Sequence, residues 1–466
     1  MNRVSELGFL AENAGGERAA LMVLYGRRRV GKTELIRQFC KGRRHLFWTA
    51  DQSPDRELLG DFSRRVWAVA TEEAPPGFTF PSWEAAFRHL ATLARDEPLV
   101  VVIDEFTYLI DANAAVPSIL QKVWDDALSG TKVQLVLCGS FPGMMEREVL
   151  GYQSALYGRR SGQYLVEPLT FRDAGAFFPG KDGVWRVEAH AVLGGMPAYL
   201  RQFEGESDVL EGVGARILRK GTFLYDEPRF LLMQEVREPA KYFSLLRAIA
   251  GGKTRPNEIA QSSGLADRTA VVRYLDTLRD MGLVERRLPV TETEPHKSRK
   301  GSYRMRDPFI RFWFRFVFPH RTELESGFRE DVLERRVRPY FADFVGPVFE
   351  DVAREQLLAG ALSLPFVPAR IGSWWDGETE IDLVALDESG NDVLVGECKW
   401  WSGPVGQNVL RELQRKAWAM ARRHPEQIRP DARVHSILFS RAGFTPELIR
   451  EAASRDVTLV EAGTLG

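Results

Sequence analysis

Gly26-Arg27-Arg28-Arg29-Val30-Gly31-Lys32-Thr33 has the spacing G-x-x-x-x-G-K-T, which is that of a phosphate-binding loop. A polyphosphate needs several backbone N–H groups converging on it, and glycine lets the chain come that close. Lys32 is expected to reach the β- and γ-phosphates of ATP, and the Thr33 hydroxyl to hold Mg²⁺. Downstream, the apolar run from Leu99 ends in Asp104 and Glu105. Asp104 is the second expected Mg²⁺ ligand, through water, and Glu105 is expected to polarise the attacking water. Ser140 follows the apolar run Val133–Cys138 and is a candidate sensor of the γ-phosphate. Arg159 and Arg160 follow Gly158 and are candidate stabilisers of transition-state charge, in cis or from a neighbouring copy of a homo-oligomer. Their alternative is a pair of surface arginines matched by acids.

A second set of residues suggests a different chemistry. Two strand-like runs, 380–386 and 393–400, flank a polar turn at Ser389-Gly390. A hairpin centred there sets Asp382 opposite Glu397 and Glu380 opposite Lys399. Side chains alternate along a strand, so Asp382, Glu397 and Lys399 converge on one face. Ile381, Leu383 and Ala385 are left to cover the other. Two close carboxylates repel unless a cation lies between them, and all-oxygen ligands suit Mg²⁺ or Mn²⁺. With a lysine beside them the set has the composition of a phosphodiester-hydrolysing site. Its alternative is a solvated, salt-bridged strand pair.

The elements that must position these residues follow from periodicity. Leu21–Tyr25 reads as a buried parallel strand leading into the loop, and Thr33 opens a helix whose N-terminus also faces phosphate. His45–Ala50 is a second strand, 54–70 and 83–95 are helices, and Val100–Ile103 has the β-branched character of a strand covered on both faces. In a helical segment after residue 185, Gly194-Gly195-Met196-Pro197 breaks the helix and lets backbone approach a ligand. Helical patterns over 239–250, 254–262 and 268–281, with Asp267 as a cap, followed by a strand from Gly282, form a winged helix-turn-helix pattern. Residues 251–306 hold 12 Lys and Arg against 7 Asp and Glu, a net +5. Arg268, Arg273 and Arg279 fall on the outer side of the second helix, and Lys297, Arg299 and Lys300 cluster at the wing tip. Such a face tracks the phosphates of DNA. Its alternative is an arm that packs on the nucleotide domain or on another protomer.

The whole chain, 466 residues with a net charge of -1, is no polyanion binder by charge alone. Cys40, Cys138 and Cys398 are isolated, which excludes a disulfide framework and a cysteine-type zinc site and fits a reducing cytoplasm. No signal peptide is read at the start, and the apolar segment Phe309–Phe318 is too short for a bilayer and carries Arg311 and Arg315 at i, i+4 spacing. It reads as a buried helix with its arginines on one face, and no membrane partner is expected.

Together these motifs resemble the archaeal-type ATPase family, a branch near the AAA+ and signal-transduction (STAND) NTPases. The resemblance is carried by the Tyr25–Thr33 loop, the Asp104-Glu105 strand, Cys138-Gly-Ser140, Leu156-Tyr-Gly-Arg-Arg160 and Gly195-Met-Pro197, with Asn2-Arg3 and Glu6-Leu7 similar to the family's opening motif. It implies an α/β fold: a parallel-sheet ATPase core over 1–165, a helical lid over 166–235 with Pro197 close to the adenine, and a winged helix over 236–305. The Asp382…Glu397-Cys398-Lys399 pattern resembles the PD-(D/E)xK nuclease superfamily. That implies a restriction-endonuclease-like domain over 306–466, with Glu350 as an early helix acid that joins Asp382 and Glu397 at a metal. Gln414 with Trp418 resembles a later motif of some members. The expectation is a DNA-directed ATPase gating a Mg²⁺-dependent nuclease domain; the alternatives are a non-cleaving DNA-binding regulator and a signalling ATPase.

Overall fold

The computed structural model describes every residue except 1–2, 15–17, 71–73, 266, 299, 378 and 466, together with the side chain of Arg268. Asn2 and Arg299 therefore lie outside the described residues. The chain forms two compact units, Met1–Pro168 and Leu169–Gly466.

The first unit runs α1 (Val4–Ala14), β1 (Ala20–Tyr25), α2 (Lys32–Cys40), β2 (His45–Thr49), α3 (Asp55–Trp67), α4 (Trp83–Leu93), β3 (Leu99–Asp104), α5 (Phe106–Ala112), α6 (Val116–Asp126), β4 (Val133–Gly139) and β5 (Gly162–Leu165). Its five strands are parallel, in the order β2-β3-β4-β1-β5. Every residue of β1, β3 and β4 is buried, as the uninterrupted apolar runs require of strands covered on both faces. Each fully buried Val, Leu or Ile contributes about 1.5–3 kcal/mol to the unit. Because β4 stands between β1 and β3, three adjacent strand ends deliver Gly26, Ser140 and Asp104 to one rim. That rim, at the carboxyl ends of the strands, is where open α/β sheets take their ligands.

The second unit begins with a helical segment. α7 (Gly183–Leu193), capped by the Asp182 side chain, stops at Gly194 (φ 62°), and α8 (Pro197–Leu200) restarts with proline in its first turn. The break falls at the expected Gly-Gly-x-Pro. At Gly195 a Cβ would lie 1.8 Å from the Leu169 carbonyl oxygen, so only glycine fits. The winged helix follows: α9 (Pro239–Ala250), α10 (Pro256–Ser263), α11 (Arg268–Asp280), β6 (Val284–Arg287) and β7 (Ser302–Met305), the last two antiparallel. Asp267 accepts from the Thr269 and Ala270 N–H groups at the start of α11, and Leu245 and Leu246 of α9 are buried, as are Val271, Leu275 and Leu278 of α11.

The last part opens with α12 (Pro308–Phe312), continued by a wider turn Trp313–Val317. Phe309, Phe312, Trp313 and Phe316 are buried, while Arg311 and Arg315 lie at or toward the surface, as the sequence pattern implies. α13 (Phe341–Leu358), β8 (Arg370–Asp376), β9 (Thr379–Leu386), β10 (Asp392–Lys399), α14 (Gln407–Arg423), β11 (Arg433–Ser440), α15 (Pro446–Ser454) and β12 (Val457–Glu461) complete it. The sheet order is β12-β11-β10-β9-β8, antiparallel from β8 to β10 and parallel from β10 to β12.

Candidate functional site

At the rim of the first unit the loop has the backbone that its glycines predict. Gly31 sits at φ 97°, and a Cβ on Gly26 would lie 2.3 Å from the Val166 carbonyl oxygen. Arg29 (φ 68°) and Glu105 (φ 54°) are the only non-glycine residues with positive φ among the described residues. Left-handed conformations at such residues cost of order 1 kcal/mol each and gather at functional sites. Lys32 is buried, and its ammonium donates to the carbonyls of Gly26 (2.7 Å) and Arg27 (3.0 Å). Arg27 is buried, and Arg28 bonds the Tyr108 hydroxyl with its guanidinium 5.0 Å from the Phe141 ring centre.

One chain of bonds links the acids. The Thr33 hydroxyl donates to Asp104 Oδ2 (2.9 Å), the Glu105 N–H donates to Asp104 Oδ1 (3.0 Å), and the Ser140 hydroxyl donates to Glu105 Oε1 (2.5 Å). Glu105 Oε2 is buried with no hydrogen-bond partner. A buried carboxylate oxygen without a donor is costly, so this oxygen suits a water or a cation's hydration shell. The donor set of Thr33 and Asp104 fits Mg²⁺, a hard ion held by one or two protein oxygens beside phosphate.

Arg3 of the opening motif bonds Val30 O (2.8 Å), Glu167 O (2.9 Å) and Glu6 (2.6 Å), clamping the loop to the chain that follows β5. Arg159 is held by Asp125 through several bonds (2.7–3.1 Å), the surface pairing of its alternative reading. Arg160 donates to Leu150 O and stands over the Tyr157 ring. Pro197 lies in the second unit.

On the winged helix, Arg273 and Arg279 are exposed, and Arg279 pairs with Asp276 (2.8 Å). At the wing, Lys297 pairs with Glu294 (2.9 Å) and Lys300 with Glu292 (2.8 Å). Exposed pairs of this kind are worth at most about 1 kcal/mol, little obstacle to a phosphate. Arg268 opens α11 with its side chain outside the described set.

The hairpin has the expected register: Leu386 faces Val393, Ala385 faces Leu394 and Leu383 faces Gly396. The ladder then departs from expectation. Gly372 pairs with Val384 but Trp374 with Ile381, so Asp382 and Leu383 together oppose Ser373. This bulge aims the Asp382 carboxylate at the Cys398 N–H (2.8 Å), in place of a backbone pairing with Glu397. It also corrects the expected apolar face. Ile381 joins Val384 and Leu386 in the core cluster that α14 completes, and by alternation Leu383 and Ala385 face the other way.

Glu397 is buried and takes Lys399 (2.8 Å) and also Lys416 of α14 (3.1 Å to each oxygen). Lys416 had no signal in the hairpin pattern; α14 brings it rather than Gln414 to the carboxylate. Burial raises the Asp382 carboxyl, helped by the charge of Glu397, and burial with the charges of Asp382 and Asp351 raises that of Glu350. So Asp382, Glu397, Lys399 and Glu350 do gather. Yet among the described residues no group of three or more His, Cys, Asp or Glu is placed to hold a metal ion. Glu397 is instead engaged by two ammonium groups and Asp382 by a backbone amide. Beside this cluster Arg304 of β7 bonds both Glu285 of β6 and Asp351 of α13 (2.6 Å to the latter).

Comparison with known proteins places these features. A family model described as an ATPase domain predominantly from Archaea matches residues 1–203, and an IclR helix-turn-helix domain matches 240–288. A model described as archaeal and bacterial proteins of unknown function matches 313–415. An uncharacterized protein of Methanocaldococcus jannaschii is 34% identical over 423 residues, 90% of this chain and 91% of its own length. An uncharacterized ATP-binding protein of the same organism is 48% identical over 44 residues, 9% of this chain and 75% of its own. Among solved structures, a Walker-type ATPase of Pyrococcus abyssi aligns with a TM-score of 0.49 at 20% identity, covering 67% of this chain and 95% of its own. The ORC2 protein of Aeropyrum pernix, in ADPNP and ADP complexes, aligns at 0.43 with 14% identity, covering 72% and 94%. No helix of the described residues is long and apolar enough to cross a membrane.

Proposed function

From the premise that this chain belongs to the same family as the full-length Methanocaldococcus relative, with an archaeal-type ATPase domain and a helix-turn-helix, we propose that it is an ATP-driven, DNA-directed enzyme. The observation that carries the reading is the bond chain Thr33–Asp104–Glu105–Ser140, spanning the ends of β3 and β4 and the start of α2. Bound ATP supplies the phosphoryl group and Mg²⁺ the charge that neutralises it. Lys32 exchanges the Gly26 and Arg27 carbonyls for phosphate oxygens. Glu105, anchored on one oxygen by Ser140, orients and deprotonates the attacking water with the other. Pro197 is assigned to the nucleotide by family resemblance. Arg159 joins the transition state only when its pair with Asp125 opens. DNA engages the exposed side of α11 and the wing through Arg268, Arg273, Arg279, Lys297, Arg299 and Lys300. The test is phosphate release with and without duplex DNA: a DNA-dependent change in rate supports the reading, and nucleotide turnover indifferent to DNA over a range of salt overturns its DNA-directed half.

A second reading adds cleavage, with the ATPase as its gate. What favours it is the gathering of Asp382, Glu397, Lys399 and Glu350 at the end of the β9–β10 hairpin. Plasmid nicking in Mg²⁺ or Mn²⁺ decides: cutting that disappears in Asp382→Asn supports it, and an intact plasmid under every condition leaves a binding-only domain.

A further inference from the structure

Arg311 and Arg315 stand out in the sequence as two arginines one turn apart in an aromatic segment, and the activity described above does not use them. In the structure both line a cleft of about 480 Å³ between the winged helix and α13, wholly inside the second unit. Two further arginines, Arg287 of β6 and Arg304 of β7, line the same cleft. Arg304 is committed to Glu285 and Asp351. Arg311 stands 5.1 Å over the Phe344 ring, within reach of the Asp351 charge but with no hydrogen bond to it among the described residues, and Arg315 stands near Phe316. Arg287 bonds the neutral Ser373 hydroxyl and stands over Trp375. Tyr303, Tyr340 and Phe344 supply aromatic surface, and Asp343, Glu350 and Glu380 supply acceptors.

This mixture restricts the occupant. Uncommitted guanidinium groups call for phosphate or carboxylate. The Asp343 and Glu380 carboxylates in the same lining repel a ligand that is anionic throughout, and with the Glu350 carboxyl they reward one that also carries N–H donors. Aromatic rings favour a flat partner. The volume is that of one small ligand, far too little for a duplex. An unpaired nucleotide bearing an exocyclic amino group meets all four conditions: its phosphate suits arginine, its amino edge suits a carboxylate as cytosine N4 does, and its base stacks.

We propose that the cleft between the winged helix and α13 seats one unpaired, amino-bearing nucleotide of a single-stranded nucleic acid, with its phosphate on Arg311 and Arg315 and its base edge on the Asp343 side. The inference rests on the nucleic-acid reading above but uses a different surface from α11 and the wing tip, and needs neither metal nor ATP.

The experiment measures anisotropy of labelled octamers of deoxycytidine and of thymidine, and of a duplex, with the full chain in EDTA without ATP. The cytidine strand is expected to bind more tightly than the thymidine strand. Arg315→Gln, at an exposed position, weakens both about tenfold and flattens the salt slope by about 0.7, the value of one single-strand phosphate contact. Asp343→Ala, also exposed, weakens cytidine binding and leaves thymidine unchanged. Arg273→Gln with Arg279→Gln weakens the duplex alone. Unchanged strand binding in Arg315→Gln overturns the proposal, as does displacement of the strand by cytidine monophosphate at equal affinity, which marks a free-nucleotide site. Arg311→Gln is read only if its thermal unfolding matches wild type, since it packs on Phe344. Wild type that binds the strand in EDTA yet never nicks DNA retires the cleavage reading and leaves this one standing; loss of duplex binding alone in the α11 variant separates the winged-helix reading in the same way.

Discussion

At the end of β3, Asp104 and Glu105 receive their hydrogen bonds from neutral donors: a threonine hydroxyl, a backbone amide and a serine hydroxyl. At the end of β10, Glu397 receives two ammonium groups, from Lys399 and Lys416. Both are acid clusters at strand ends, and both were expected to hold a divalent cation. The difference lies in charge. A carboxylate that accepts from hydroxyls and amides keeps its full negative charge for an incoming ion. One already matched by lysines has to lose them first, and removing a partner from a buried ion pair is costly. The first cluster leaves its negative charge unmatched, while the second is matched by its own lysines.

The largest effect should come from Glu105→Gln. Phosphate release should fall by about 10²–10⁴-fold, the usual contribution of a positioned base, with nucleotide affinity nearly unchanged. Unchanged turnover removes Glu105 from the catalytic role and with it the first half of the comparison. Lys32→Ala should weaken ATP by about a hundredfold or more in calorimetry, from two charge-assisted bonds of roughly 1.5–3 kcal/mol each. Lys416→Met tests the second half directly: with one ammonium removed, Mn²⁺ affinity at the hairpin end should rise about tenfold, one charge-assisted bond's worth. No gain in Mn²⁺ binding would show that the lysines are not what closes the cluster.

The smallest effect concerns pH. Glu350 is pushed up to about 8 by burial and by the neighbouring Asp382 and Asp351 charges. Its folded form therefore binds a proton that the unfolded chain has already released, so stability falls as pH rises from the ordinary glutamate range through about 8. Glu350→Gln should raise the Tm by a few degrees at pH 8.5 and leave it unchanged at pH 4. Equal shifts at both values would point to packing rather than charge.

Much of this was legible because it is local. The loop spacing, the strand β1 that leads into it, the helix α2 that follows and the all-apolar β3 each follow from a short window. The hairpin register followed from one turn, Ser389-Gly390. What stayed hidden depends on neighbours distant in sequence or on backbone detail. Lys416 meets Glu397 because α14 packs across β10, and a helix's rotation over a sheet is not written in the hairpin. The bulge at Asp382-Leu383 moves one residue of register with no glycine or proline on its own strand to mark it, so the alternation that put Ile381 with Leu383 failed. The left-handed backbone of Glu105 is equally silent, since glutamate is no turn residue.

Arg304 has a mechanical consequence. Its guanidinium ties the wing strands to α13, one residue from Glu350, and only two residues separate β7 from α12. The wing is therefore not a flag on a slack tether. A torque on the wing, such as bound DNA would apply under the proposed function, is delivered to α13 with little lost motion, because packed interiors are stiff and transmit strain. Substituting Arg304 by leucine inserts compliance into that lever: the wing still grips, but the helix behind it no longer feels the load.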